Sequence, residues 1–170
     1  MPNNSLAVPD APGVSSLHIR CLLTRDMPEV MAIERDSFEF PWIDTDFRRC
    51  LRQHNVVGMV AEIEDRVAGY MLYELHRFRL EVLTFAVGRE WQRRGVGSQM
   101  VRFLVGKLCP QERRRIRLIV RETNLPAQRF FQRCGFLAVN VLRDYYEDKT
   151  EDAYVMQYQA SDSAGRINRP

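Results

Sequence analysis

Arg93, Arg94, Gly95, Val96, Gly97 and Ser98 follow Gln92 between a run that reads as a strand and a run that reads as an amphipathic helix. Two glycines at the opening of a helix cost about 1 kcal/mol each relative to alanine, so something must require them there. A helix start carries backbone N–H groups without intrahelical acceptors and the positive end of the helix dipole. Where side chains are missing, a pyrophosphate can approach that backbone closely. The chemistry suggested is anion binding. A dinucleotide-binding fingerprint would need a third glycine where Met100 stands, and a P-loop would need Gly-Lys-Ser/Thr, which is absent. Taken alone, the pattern is also compatible with a plain helix start.

Proton-handling groups near this segment are few. Glu81 is the one carboxylate in the strand-like run Arg79 to Val87, and alternation puts it on a face with Leu83 and Phe85. It either looks onto a cleft or is an exposed carboxylate paired with Arg79 or Arg77. His76 and Glu122 are the other titratable groups to weigh. Cys21, Cys50, Cys109 and Cys134 form no C-x-x-C pair, so neither a zinc site nor a disulfide framework is expected and they read as buried thiols.

Periodicity supplies the elements that would hold these residues. Leu17 to Leu22 alternates as a strand, and Thr24 offers an N-cap to a helix carrying Met27, Val30, Met31 and Ile33. A second helix covers Asp44 to Gln53. Val56 to Ile63 and Val67 to Leu75 read as strands joined at Glu64-Asp65-Arg66, and Arg79 to Val87 as a third. Val96, Met100, Val101, Leu104, Val105 and Leu108 share a helical face, Ile116 to Val120 is a strand, and Leu125 to Cys134 is a helix that Gly135 ends. Phe136 to Leu142 and Ala153 to Tyr158 are strands around a polar loop from Arg143 to Asp152. The expected fold is α/β, a mixed central sheet of about seven strands with an antiparallel meander and flanking helices.

The 170 residues, 45% apolar and 28% charged, are one ordinary globular domain. Polar ends at 1–16 and 160–170 read as disordered tails, which leaves a domain at 17–159. No signal peptide and no apolar run of membrane-spanning length is found, so the expectation is a cytoplasmic protein without a membrane partner. A net charge of +3 does not argue for nucleic acid. The densest basic run, Arg113 to Arg115, reads as a solvated turn. Among the 25 basic residues only Lys107 and Lys149 are lysines.

In its strand-to-helix setting, Gln92 to Gly97 resembles the Gln/Arg-x-x-Gly-x-Gly/Ala signature of the GNAT superfamily of acetyl-CoA-dependent N-acetyltransferases. The resemblance is closest to the ribosomal-protein-alanine (RimI-type) N-terminal acetyltransferases. It extends over Phe40-Pro41-Trp42, Phe85-Ala86-Val87, Arg93 to Ser98, Val120-Arg121, Asn124, Gly135-Phe136, Tyr145-Tyr146 and Glu151-Asp152-Ala153. It implies a strand end at Phe85, Ala86 and Val87 that pairs with the pantetheine arm of acetyl-CoA and polarises the thioester carbonyl. It likewise implies pyrophosphate binding by the backbone of Arg93 to Ser98, a cofactor contact from Asn124, and substrate contacts from Trp42, Tyr145 and Tyr146. Asn124 ahead of Leu125-Pro126 is equally a sound helix N-cap. No metal is implied.

Two departures stand out. Where the RimI-type enzymes have a glutamate base the chain has Ile119, and where they have a tyrosine acid it has Phe131. Some members of the superfamily place their base on the strand before the signature, and this resemblance implies Glu81 as the foremost substitute base, ahead of His76 and Glu122. An α-amino group with a pKa of about 7.8 is neutral in about one molecule in seven at pH 7, a penalty of about 1.1 kcal/mol. A lysine side chain would forfeit about 4.6 kcal/mol. Weak base assistance therefore suits an N-terminal α-amine. The expectation is acetyl transfer to a protein or peptide N-terminus, a ribosomal protein among the acceptors that the resemblance implies. Its rivals are a small-molecule amine acetyltransferase and an acetyl-CoA-binding module without turnover.

Overall fold

The structure is a computed structural model and describes residues 17–109, 111–146 and 150–161. The elements are β1 (His18–Cys21), α1 (Met27–Ser37), α2 (Asp44–Leu51), β2 (Val56–Ile63), β3 (Arg66–Leu75), β4 (Arg79–Val87), α3 (Val96–Val105), β5 (Arg115–Arg121), α4 (Leu125–Arg133), β6 (Leu137–Tyr146) and β7 (Glu151–Gln159). Short 3-10 turns lie at Thr24–Asp26 and Arg89–Trp91. The strands form one sheet in the order β1-β2-β3-β4-β5-β7-β6. Every pair is antiparallel except β4 with β5. This is the mixed α/β sheet with a central meander that the apolar periodicity predicts. Glu64 and Asp65 close the β2–β3 hairpin with positive φ of 51° and 60°, the backbone of a tight turn matched to strand twist.

The sheet is covered on both faces. Val30 and Ile33 of α1 and Phe47 of α2 pack with Val60, Tyr70, Leu72 and Ala86 on one side. On the other, Val96, Met100 and Leu104 of α3 and Phe131 of α4 pack with Met71, Leu80, Val82, Leu118 and Val120. β4 contributes to both layers, with Leu80 and Val82 on the α3 side and Leu83 and Ala86 on the α1 side, whereas Ile116, Leu118 and Val120 of β5 all face the α3 side.

Several expectations need correction. Thr24 does not cap α1; it opens the 3-10 turn, where the Leu23 N–H donates to Asp26 Oδ2 at 2.8 Å. Leu108 lies beyond α3, which stops at Val105 with Gly106 as its cap. The loop expected at Arg143 to Asp152 is shorter, because β6 runs on to Tyr146 and β7 begins at Glu151. The cysteines are not buried: Cys21 and Cys109 are exposed, Cys50 and Cys134 half-buried, and all four are free thiols. Arg113 is a tether rather than part of a solvated turn, since its Nε donates to the His76 carbonyl at 2.7 Å. The tails expected at 1–16 and 160–170 lie outside the described residues, apart from Ala160 and Ser161.

Candidate active site

β4 and β5 pair from Arg79 with Arg115 to Val82 with Leu118, and then part. β4 continues to Val87 beside β3 and β5 to Arg121 beside β7, so past that point only the edges that β4 and β5 turn toward each other are unladdered. The cause is in β4: its register with β3 jumps between Leu72–Thr84 and Tyr73–Val82, which leaves Leu83 as an extra residue. Such a bulge bends its strand and breaks the local ladder. The gap widens into a cleft of about 610 Å³, within the range of small-molecule sites.

The bulge also corrects a reading of faces. Leu83 packs with the α1 layer and Phe85 with the α3 layer. Glu81 therefore shares a face with Leu83 but not with Phe85. It does line the cleft, at its outer end opposite Glu74, and its carboxylate accepts from Arg79 Nε at 2.7 Å. His76 lines the same end, bonded to Glu74 at 2.8 Å. Glu122 is exposed, its carbonyl accepting from Gln128 Nε2 at 2.9 Å and its N–H donating to the Asp152 carbonyl at 3.1 Å.

The Gly88 N–H donates to the Ala68 carbonyl of β3 at 2.9 Å. Because successive amides of a strand point to opposite sides, the N–H groups of Val87 and Phe85 face away from β3, into the gap. Gln92 Nε2 donates to the Val87 carbonyl at 2.9 Å and so ties the glycine-bearing loop to the end of β4. Arg93 and Gly95 both have positive φ, 60° and 83°, and Gly95 is the N-cap of α3. The first bond of that helix runs from Gln99 N–H to Gly95 O at 3.0 Å, so the N–H groups of Val96, Gly97 and Ser98 precede any intrahelical acceptor. A Cβ at Gly95 would meet nothing within 4 Å, whereas one at Gly97 would stand 3.0 Å from Phe130 Cζ. Gly95 opens the loop to a ligand, and Gly97 lets α3 sit against α4. Loop and helix start together fit a pyrophosphate.

The opposite wall is aromatic. Trp42 lines the cleft from the α1–α2 connection and packs edge-on against Phe47 at 5.4 Å. Tyr145 and Tyr146 line it from the end of β6, their rings 5.0 Å apart. Arg121 bridges these walls, with its guanidinium 3.6 Å from the centre of the Tyr146 ring and 5.2 Å from that of Phe40. Glu151 holds it with an ion pair at 3.0 Å. Asn124 also lines the cleft and is the N-cap of α4, its Oδ1 accepting from Ala127 N–H at 3.2 Å. Ile119 and Phe131 line it too, so the positions of the absent base and acid are apolar surfaces of the site. Among the described residues no cluster of three or more His, Cys, Asp or Glu is placed to hold a metal ion, and no helix is long and apolar enough to cross a membrane.

One functional candidate escaped the sequence reading. Glu34 of α1 is 1% exposed and lines the cleft. Its Oε1 accepts the Trp42 N–H at 2.8 Å, its Oε2 accepts from the Tyr70 hydroxyl, and Thr84 of β4 is a further hydrogen-bond partner. Burial pushes its pKa up to about 7. The signal was present in the spacing, since Val30, Ile33 and Glu34 fall on one apolar stripe of α1.

Residues 27–136 match the Acetyltransferase (GNAT) family. The chain is 30% identical over 154 residues to an uncharacterized N-acetyltransferase of Methanocaldococcus jannaschii, covering 88% of this chain and 96% of that one. It is 26% identical over 140 residues to the [ribosomal protein bS18]-alanine N-acetyltransferase of Salmonella typhimurium, covering 81% and 94%. The crystal structure of the ribosomal-protein-S18-alanine N-acetyltransferase from Escherichia coli superposes with a TM-score of 0.77 at 24% identity, over 91% of this chain and all of that one. With its signature loop at a strand-to-helix junction and its central strands splayed, the chain belongs to the GNAT acetyltransferase family.

Proposed function

We propose that the protein transfers an acetyl group from acetyl-CoA to the N-terminal α-amine of a protein or peptide. The observation that carries this reading is the parting of β4 and β5 between an anion-binding loop on one side and an aromatic wall on the other. A donor and an acceptor can reach one point from opposite faces. Similarity to N-acetyltransferases that act on a ribosomal protein supports an acceptor of that kind.

The backbone of Arg93, Arg94, Gly95, Val96, Gly97 and Ser98 binds the pyrophosphate, and Phe85, Ala86 and Val87 align the pantetheine arm. The Val87 N–H donates to the thioester carbonyl and stabilises the charge that grows on its oxygen as the amine adds. Asn124 contacts the donor beside its capping role. Trp42, Tyr145 and Tyr146 hold the acceptor's first residues. Glu81 exchanges Arg79 for the incoming ammonium group at the mouth. Holding amine and thioester together supplies much of the rate. Incubation with acetyl-CoA and a peptide library, followed by mapping of acetyl groups by mass spectrometry, tests the reading: acetylated N-termini support it, and acetylation of none of them overturns it.

A further inference from the structure

The family's base position is Ile119, which cannot take a proton, and Glu81 stands where β4 and β5 are still paired, facing Arg117 in register and bonded to Arg79. Past the bulge the situation differs. Thr84 is the residue immediately before Phe85, and it lines the cleft on the α1 face, the side from which the aromatic wall would deliver an amine. Behind Thr84 lies Glu34, and the Tyr70 hydroxyl is 3.3 Å from Thr84 Oγ1.

Resting on the acyl-transfer reading, we infer that Glu34, acting through the hydroxyl of Thr84, takes the proton released when the amine attacks. The nitrogen lone pair forms the bond to the carbonyl carbon, and the carbonyl π pair moves to oxygen. An N–H proton passes to Thr84 Oγ1 as the Thr84 proton passes to the Glu34 carboxylate. Collapse of the adduct breaks the C–S bond and releases the thiolate, and Glu34 returns its proton to solvent. Thr84 meets the amine; Glu34 is a positioning residue that discharges it.

The surroundings leave Glu34 available for this. Its partners, the Trp42 N–H, Tyr70 and Thr84, are neutral. The charged groups of the cleft are bonded elsewhere: Glu74 of β3 with His76 just beyond it, Arg79 with Glu81 on β4, and Arg121 of β5 with Glu151. Among the described residues no cation holds the Glu34 carboxylate ionised, and burial sets its affinity for a proton near the working pH of a general base.

The test compares wild type with Glu34→Gln, Thr84→Val and Thr84→Ser on a peptide α-amine, with calorimetric acetyl-CoA affinity as a control. Glu34→Gln and Thr84→Val should each lower kcat/KM roughly 10²-fold at pH 7, with acetyl-CoA affinity held and Thr84→Ser retaining most activity. The acid limb of log kcat/KM should rise with slope two in wild type, from amine and carboxyl together, and slope one in Glu34→Gln. A Glu34→Gln enzyme within threefold of wild type, with slope two intact, would overturn the inference. Should Glu34→Gln fail to fold, the threonine pair decides: Thr84→Val at the wild-type rate overturns it, and loss in Val with rescue in Ser supports it. A wild-type protein that transfers nothing to any peptide overturns the acyl-transfer reading itself, an outcome distinct from an active wild type with an indifferent Glu34.

Discussion

Val82 of β4 and Leu118 of β5 are the last facing pair of the sheet's one parallel ladder. Beyond them the two strands diverge, and the amides of Phe85 and Val87 face the gap. The extra residue Leu83 opens that gap, because a bulge bends the strand that carries it. One register shift thus sets both the cleft and the face on which Thr84 and Glu81 stand.

Gly95 is the sharper test of the anion site. A side chain at Gly97 would wedge against Phe130, so a bulky residue there perturbs packing and binding together. Gly95→Ala places its Cβ in open space at a φ of 83°. It should cost about 1–2 kcal/mol in stability and weaken acetyl-CoA binding in the folded protein. Titration calorimetry reads the affinity, and an unchanged value would remove the loop from the donor site.

Glu34 makes the protein less stable as pH rises. Its pKa is raised from an ordinary value of 4.5 to about 7, so the stabilisation is present below about 4.5 and is lost as pH climbs through about 7. Glu34→Gln, which cannot ionise, should therefore gain in Tm relative to wild type between pH 5 and pH 8. Thermal melts at the two values check this; a constant difference would mean that Glu34 does not titrate in that window.

Glu81→Gln should act on acceptor binding. Loss of a partly exposed charge contact of about 1 kcal/mol raises the peptide KM about fivefold and leaves kcat within about threefold. Steady-state kinetics separates the two. If instead turnover fell about 10²-fold with KM unchanged, Glu81 would be the proton acceptor.

Arg20 donates to both Asp26 and Glu62 and anchors the entry to α1. Its guanidinium holds the Asp26 carboxyl below the usual range, chiefly by hydrogen bonding. Arg20→Met leaves the buried Asp26 without its main partner and should cost roughly 3 kcal/mol at neutral pH. A depressed folded pKa stabilises above the unfolded carboxylate value and ceases to as pH falls through the folded one. The Tm gap between variant and wild type should then narrow on acidification.

Much of this was legible in the sequence, for identifiable reasons. Apolar period marked each helix and strand, and Gly95 and Gly97 marked the loop, because both signals are local. Glu81 was rightly set beside Leu83 and toward the cleft, but Phe85 was wrongly put on the same face, because the bulge at Leu83 is a relationship between two strands, invisible to alternation within one. Glu34 sat in plain view on the buried stripe of α1. Its place in the site depends on Tyr70, Thr84 and Trp42, which only the folded chain brings to it. Thr24 looked like an N-cap by residue type, yet Asp26, fixed by Arg20, shapes that turn.

The most direct test of acyl transfer to an α-amine is a pair of peptides of one sequence, offered with acetyl-CoA at pH 7. One has a free N-terminus; the other has a blocked N-terminus and a free internal lysine. Initial rates followed by mass spectrometry should favour the free N-terminus by well over tenfold, since the lysine forfeits about 3.5 kcal/mol more to reach its neutral form. Equal rates on the two peptides, or transfer to the lysine alone, would contradict the account.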